Sequence, residues 1–308
     1  MSSIATTKVY SRPVAPTARL PALLLQFRHA ERPFVPFGDA MSLTATPLAA
    51  ERPRADIRRD DCIRFLRGLP DASVDLIVTD PGYSGMNRHM KFGHGRIVGR
   101  YGDRDNQKWF TEFEDDPDTY RAFLAECRRV LRDSRHIYVM FDSFSLLSLG
   151  HLMREQFDVK CVIVWDKVHL GMGHYFRRRH EQIVFASKGN RKVASRDVPD
   201  VWAVPRLHRA PYPTQKPVAL FQRMISASAE PGFVVCDPFV GSGSSAVAAL
   251  RGGCHFIGAD IDERAVEISR TRCAAVMATG IDPAERVQPA ARSAAGSEGR
   301  RPAAVPRT

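Results

Sequence analysis

The chain has 308 residues, enough to bury a substantial core, and its 44% hydrophobic content is ordinary for a globular protein. No apolar run approaches the roughly 18 to 20 residues that a membrane-spanning helix needs, so a helical membrane protein is excluded. The formal net charge of +11 suits a partner carrying phosphates, without separating DNA from RNA or anionic lipid.

Residues 1–55 are rich in Pro, Ala, Arg and Thr without sustained periodicity, and read as a disordered tail. Between the tails, short β-rich runs alternate with helical patterns, which predicts an α/β fold around a mainly parallel, doubly wound sheet. The first strand expected runs from Val74 to Thr79 and ends in Asp80-Pro81-Gly82-Tyr83. A polar stretch follows, with Arg88, Lys91, Arg96 and Arg100 among its basic residues and several glycines, and reads as a basic loop. A helix is expected after Asp116, where Asp caps, Pro117 fits the first turn, and Tyr120, Phe123, Leu124, Cys127, Val130 and Leu131 share a face. Strands are expected over His136 to Phe141, Val159 to Trp165 and Gln182 to Ala186. A second basic cluster includes Arg177, Arg178 and Arg191. Helices over Pro217 to Ser228, Gly243 to Arg251 and Asp262 to Met277 interleave with strands over Phe233 to Cys236 and His255 to Ala259. From residue 280 the chain turns again to Ala, Gly, Ser, Pro and Arg, a second disordered tail. Six scattered cysteines form no C-x-x-C pair and the ten histidines do not join them at ligand spacing, so a metal site is not expected and the thiols read as core residues of a reducing, cytoplasmic compartment.

Two turns carry chemistry. Phe233 to Ala246 is a strand, a turn with Gly241 and Gly243, and the start of a helix: the backbone can come close to a ligand there, and the helix N-terminus offers free N–H donors. The next strand ends at Asp260, where a carboxylate can accept hydrogen bonds from ribose hydroxyls. Gly-Ser-Gly-Ser-Ser-Ala also fits a dinucleotide fingerprint, but only a helix and a tail follow Asp260, so strands earlier in the chain must complete the sheet. A nucleoside-binding half placed after the catalytic half describes a circularly permuted fold. At the other turn, an amino group on an aromatic base is a poor nucleophile because its lone pair is delocalised into the ring. The Asp80 carboxylate and the Pro81 carbonyl could accept its hydrogens and aim that lone pair at the methyl carbon of a sulfonium, while Tyr83 stacks on a base taken out of the duplex.

Read together, these segments resemble the permuted β-group of DNA amino-methyltransferases, which act on adenine N6 or cytosine N4. Asp61-Cys62 with Leu69 to Ile77 resembles the lead-in to the family's Asp-Pro-Pro-Tyr, here with Gly82 at the second proline. Trp165-Asp166-Lys167, Gly171-Met172-Gly173, Phe176 to Glu181 and Lys188-Gly189 are similar to its middle segment, and Pro213-Thr214-Gln215-Lys216-Pro217 to its His-Pro-Thr-Gln-Lys-Pro stretch, with Tyr212 for histidine. The resemblance implies Asp80, Pro81 and Tyr83 at the base, and Asp61, Lys216, Asp237, Phe239, Gly241, Gly243 and Asp260 around S-adenosylmethionine. It implies a methyltransferase domain over 56–279, divided into a catalytic half (56–188), a recognition segment (189–211) and a cofactor half (212–279), flanked by tails at 1–55 and 280–308. DNA is the implied partner, held by Arg88, Lys91, Arg96, Arg100, Arg177, Arg178 and Arg191, in a restriction-modification setting, with no membrane or metal and with a homodimer left open. Asp80 favours adenine N6, since the family tends to carry Ser there for cytosine N4. C5-cytosine chemistry is disfavoured because no Pro-Cys dipeptide supplies a nucleophile. An inactive DNA-binding relative, with Gly82 as the sign of decay, is the alternative from another class.

Overall fold

The computed structural model describes residues 52–82, 116–171, 176–207, 210, 212 and 214–287. The stretch expected as a basic loop, with Arg88, Lys91, Arg96 and Arg100, and Tyr83, expected at the base, lie outside them. Among the described residues eight strands form one sheet: β1 (Ala55–Arg59), β2 (Val74–Thr79), β3 (Leu131–Phe141), β4 (Asp158–Asp166), β5 (His180–Lys188), β6 (Val201–Ala203), β7 (Val234–Asp237) and β8 (His255–Asp260), in the spatial order β1-β8-β7-β2-β3-β5-β4-β6. Every neighbouring pair is parallel except β3 with β5 and β5 with β4, so β5 alone runs against the rest. The sheet is thus mainly parallel, as the alternating pattern predicted, with β5 as its one antiparallel strand.

All six residues of β2 are buried, as a strand covered on both faces requires. Its side chains alternate between two cores. Leu76 and Val78 pack with Tyr138 and Met140 of β3 beneath α5 (Val218–Ser228), α6 (Ser244–Arg251) and α7 (Glu263–Thr279). Val74 and Ile77 face α1 (Cys62–Arg67), α2 (Pro117–Val130), α3 (Ser143–Leu149) and α4 (Met153–Gln156) across the sheet. Helices on both faces make the architecture doubly wound.

Helix α2 begins where its sequence signals place it: Asp116 Oδ1 accepts from Asp118 N at 2.9 Å and Thr119 N at 3.0 Å, with Pro117 in the first turn. Its predicted apolar face, Tyr120, Phe123, Leu124, Cys127 and Val130, is fully buried. Two strands had no clear sequence signal. In β1 only Ile57 is buried, and its charged neighbours pair in solvent, Arg59 with Glu263 at 3.0 Å. The three-residue β6 edges β4, with Trp202 buried between exposed Val201 and Ala203. Packing also continues past residue 279, where Asp282 is completely buried and pairs with Arg272 through contacts of 2.6 and 2.9 Å. The cysteines are free thiols, five buried and Cys161 half-buried. Within the described residues no helix is long and apolar enough to cross a membrane, and no cluster of His, Cys, Asp and Glu could hold a metal ion.

Candidate active site

Parallel strands deliver their C-terminal ends to one side of a sheet, and here two of the chemically loaded turns leave adjacent strands. β2 and β7 pair in register, Leu76 opposite Val235 and Ile77 opposite Cys236, so Asp80 and Asp237 emerge side by side although far apart in sequence. A cleft of about 320 Å³ opens there, lined by Asp80, Pro81 and Gly82 after β2, by Asp237 to Ser242 after β7, and by Asp260 at the end of β8. Asp61 at the start of α1 and the segment before α5, Tyr212 and Thr214 to Lys216, add to this lining.

The glycine turn is shaped by its backbone. Gly241 and Gly243 adopt left-handed φ values of 50° and 82°, and Gly243 is the N-cap of α6. The Gly241 N–H donates to Asp260 Oδ2 at 2.9 Å, and the Asp262 N–H to Asp260 Oδ1 at 2.9 Å, so Asp260 both closes the turn and presents its carboxyl to the cleft. Burial pushes its pKa upward. Asp237 is buried, accepting from Phe239 N at 3.0 Å and Ser245 Oγ at 2.6 Å, and burial pushes its carboxyl up to about 7. Phe239 meets Phe123 edge-on with centroids 5.5 Å apart. Asp61 lines the cleft, but its Oδ1 also caps α1, accepting from Ile63 N and Arg64 N at 3.0 Å each.

At the other turn Pro81 is buried and Asp80 half-buried. Asp80 Oδ2 accepts from the Lys216 ammonium. That ammonium lies 3.9 Å from Glu181 Oε2, and Glu181 Oε1 accepts from Lys167 Nζ at 2.7 Å. Burial works against both carboxylates: it holds Asp80 above the usual range, with Lys216 drawing it back, whereas Lys216 and Lys167 together bring Glu181 below its ordinary value. For Lys216, burial opposes the charge but Asp80 and Glu181 outweigh it, so its pKa lies above the ordinary lysine range.

The other expected residues separate. Arg177 is exposed, with Nε donating to Gly171 O at 2.7 Å, and Arg178 lies over the Phe144 ring, 4.9 Å from its centroid. Both precede β5, whose first residues pair with the ends of β3 and β4, so they stand at the cleft end of the sheet. Arg191 follows the far end of β5. It pairs with Glu230 at 2.7 Å and lies over Phe233, just before β7 begins, so the structure does not bring it to the cleft. Sequence reasoning did not assign Glu181, Lys167, Gln215 or Ser245 to the site. The signal available for the first two was a charged residue at a strand end, a common surface arrangement, and nothing local tells that the fold buries them.

An open α/β sheet with a cradle of glycines at its strand ends defines the class of doubly wound proteins that bind a small ligand there. Residues 74–271, well over half of the chain, match the N6/N4 DNA methylase family, and the chain belongs to it. It is 28% identical over 234 residues to the type II methyltransferase M2.DpnII of Streptococcus pneumoniae, spanning 69% of this chain and 87% of that protein. It is 25% identical over 242 residues to the type II methyltransferase M2.MboI of Moraxella bovis, spanning 70% and 86%. Among solved structures, the complex of M1.HpyAVI with SAM superposes with a TM-score of 0.51 at 19% identity, covering 71% of this chain and 99% of that one. The cytosine-N4-specific PvuII DNA methyltransferase gives 0.55 at 14% identity, covering 71% and 86%. At such identities these structures speak for the fold.

Proposed function

We propose that this protein transfers the methyl group of S-adenosylmethionine to the N6 amino group of adenine in DNA, acting on a base taken out of the helix. The observation that carries this reading is the single cleft in which the Asp80-Pro81 turn meets the glycine turn and Asp260. The residues present fit the cofactor. Gln215 lines the cleft and its Oε1 is buried without a hydrogen-bond partner among the described residues, an acceptor suited to an ammonium or amino donor. A Cβ at Gly241 would meet only the Phe239 carbonyl, 4.0 Å away, so a ligand can approach that backbone closely. When bound, S-adenosylmethionine supplies an electrophilic methyl group on a sulfonium. Asp260 would take the ribose hydroxyls on lone pairs left over from its two backbone contacts, since a carboxylate offers about four acceptor sites. Asp237, Phe239 and Asp61 would line the rest of the cofactor space.

For the base, Asp80 and the Pro81 carbonyl accept the amino hydrogens and Tyr83 stacks on the ring. Asp80 rather than Ser favours adenine. Residues 56–188 then form the catalytic half, 189–211 the recognition segment and 212–279 the cofactor half, which the packed residues through Val287 extend. DNA phosphates meet Arg177 and Arg178 at the cleft end, and Arg88, Lys91, Arg96 and Arg100 are further phosphate contacts. Incubation with labelled S-adenosylmethionine and unmethylated DNA, followed by digestion to nucleosides, should yield N6-methyladenine. N4-methylcytosine would overturn the choice of base, and no labelled nucleoside would overturn the activity. Asp80→Ala should lower the rate on the order of 10²-fold or more, while calorimetry finds cofactor affinity unchanged.

A further inference from the structure

Lys216 was expected at the cofactor, yet its ammonium sits on Asp80. Four groups from four segments form an alternating chain: Asp80 after β2, Lys216 before α5, Glu181 on β5 and Lys167 after β4. Their side chains are only 15 to 26% exposed, and two negative and two positive charges cancel. We propose that Lys216 is a positioning residue for Asp80, holding the carboxylate charged and aimed for an entering amino group, with Glu181 and Lys167 holding Lys216 in turn. This rests on the reading of Asp80 as the acceptor for the base.

An amino group on a base presents N–H donors, and Asp80 can receive one at either oxygen only while ionised. A protonated carboxyl would turn an O–H toward the cleft and lose that capacity on one side. Burial favours the neutral acid, while an ammonium in contact favours the carboxylate. Lys216 contacts Oδ2, which leaves Oδ1 for the substrate. Among the described residues, the other charged groups facing this set are Asp237 on β7 and Arg178 before β5.

The backbone fixes both lysines. The Lys216 carbonyl accepts from Ser244 Oγ at 2.7 Å, which ties the residue to the first turn of α6 and so to the glycine cradle. Thr214, two residues earlier, has φ 60°, and Val168, next to Lys167, has φ 65°. Left-handed backbone at a β-branched residue persists only where the surroundings hold it, and both instances flank the charge chain. One residue thereby reaches both turns of the cleft, by its side chain to Asp80 and by its backbone to the cofactor half.

The test is a carbon-NMR titration of the Asp80 carboxyl, assigned by its disappearance in Asp80→Asn, in the intact protein and in Lys216→Met, Lys216→Arg and Glu181→Gln. Pairing of opposite charges at this range moves a carboxyl by about 1–3 pH units. Lys216→Met should raise the Asp80 midpoint by that much, Lys216→Arg should leave it in place, and Glu181→Gln should lower it by removing a negative neighbour. The acidic limb of the kcat profile should move with the midpoint in each variant, with S-adenosylmethionine affinity by calorimetry unchanged. A midpoint that stays put in Lys216→Met while cofactor affinity falls would make Lys216 a cofactor contact and end the proposal. Should Lys216→Met not fold, Lys216→Gln takes its place, and an Asp80 midpoint that stays put there ends the proposal equally. If the midpoints move as expected but no variant, nor the parent, methylates adenine, the coupling stands and the choice of substrate falls.

Discussion

Gly243 concentrates several demands on one residue. Its φ of 82° lies in the left-handed region, and a Cβ placed there would come within 2.7 Å of Ser269 Cβ and 3.0 Å of Ser269 Cα on α7. The first effect costs about 1–2 kcal/mol for an L-residue, and crowding a packed contact adds about 1–3 kcal/mol. Because Ser269 is buried and its Cα belongs to a helix backbone, the neighbour cannot swing aside. Gly243→Ala should therefore lose about 2–5 kcal/mol by denaturant titration. Its cofactor affinity should fall as well, because relief of the clash pulls α6 away from α7 and opens the turn. An unchanged midpoint of unfolding would show that the glycine is kept for something other than sterics. Gly82 differs: a Cβ there meets nothing within 4 Å, so its departure from the family's proline is not forced by packing.

Among the elements, helix α7 does more than cover the sheet. Arg272 on its buried face donates to the Ser242 carbonyl at 2.5 Å, inside the glycine turn, and to both oxygens of Asp282. The side chains are 4% and 0% exposed, so the pair is sealed from solvent. Removing one partner of such a pair strands a buried charge and costs about 3–5 kcal/mol, far more than an exposed ion pair contributes. Asp282→Ala should fall in that range in thermal or chemical denaturation and should loosen cofactor binding. The Arg272→Met, Asp282→Leu double variant should recover part of the stability without restoring the cofactor affinity, because the anchor on Ser242 is then absent. A double variant less stable than Asp282→Ala would refute the stranded-charge account. Asp282 was illegible in the sequence because it stands in a stretch whose composition resembles a tail, and only the long-range partner on α7 gives it a place. The same holds for β1, which shows one buried residue in five, and for the tight helix Ser143–Leu149, where Asp142 caps but exposed Phe144 and Leu147 spoil the apolar stripe. The central strands and the helices α2, α5, α6 and α7 were readable because burial on one or two faces writes a period into the sequence. The carboxylates of the cleft were readable from their turns. The pairing of Lys216 and Glu181 with Asp80 was not, because it is set by which strand ends the topology makes adjacent.

At the scale of the whole molecule, a parallel sheet separates two ends with different duties. The C-terminal ends of β2, β7 and β8 open on the cleft, and β5, running the other way, contributes its first residues to the same end. Arg177 and Arg178 lie there, whereas Arg191 lies past the other end of β5, bound to Glu230 and stacked over Phe233. A net charge of +11 favours DNA wherever it lands, so affinity alone does not locate the binding face. The salt dependence does, because each phosphate contact releases counterions and contributes about 0.9 to the slope of log K against log salt. Arg177→Ala and Arg178→Ala should each weaken DNA binding and reduce that slope by about 1. Arg191→Ala should leave the slope unchanged and instead lower thermal stability, since its guanidinium is spent on Glu230 and the Phe233 ring. Titrations at a series of salt concentrations distinguish the two ends directly. A slope that falls with Arg191→Ala and not with Arg178→Ala would place DNA on the opposite end of the sheet from Asp80, and no reading of the cleft as the site of base methylation would survive that result.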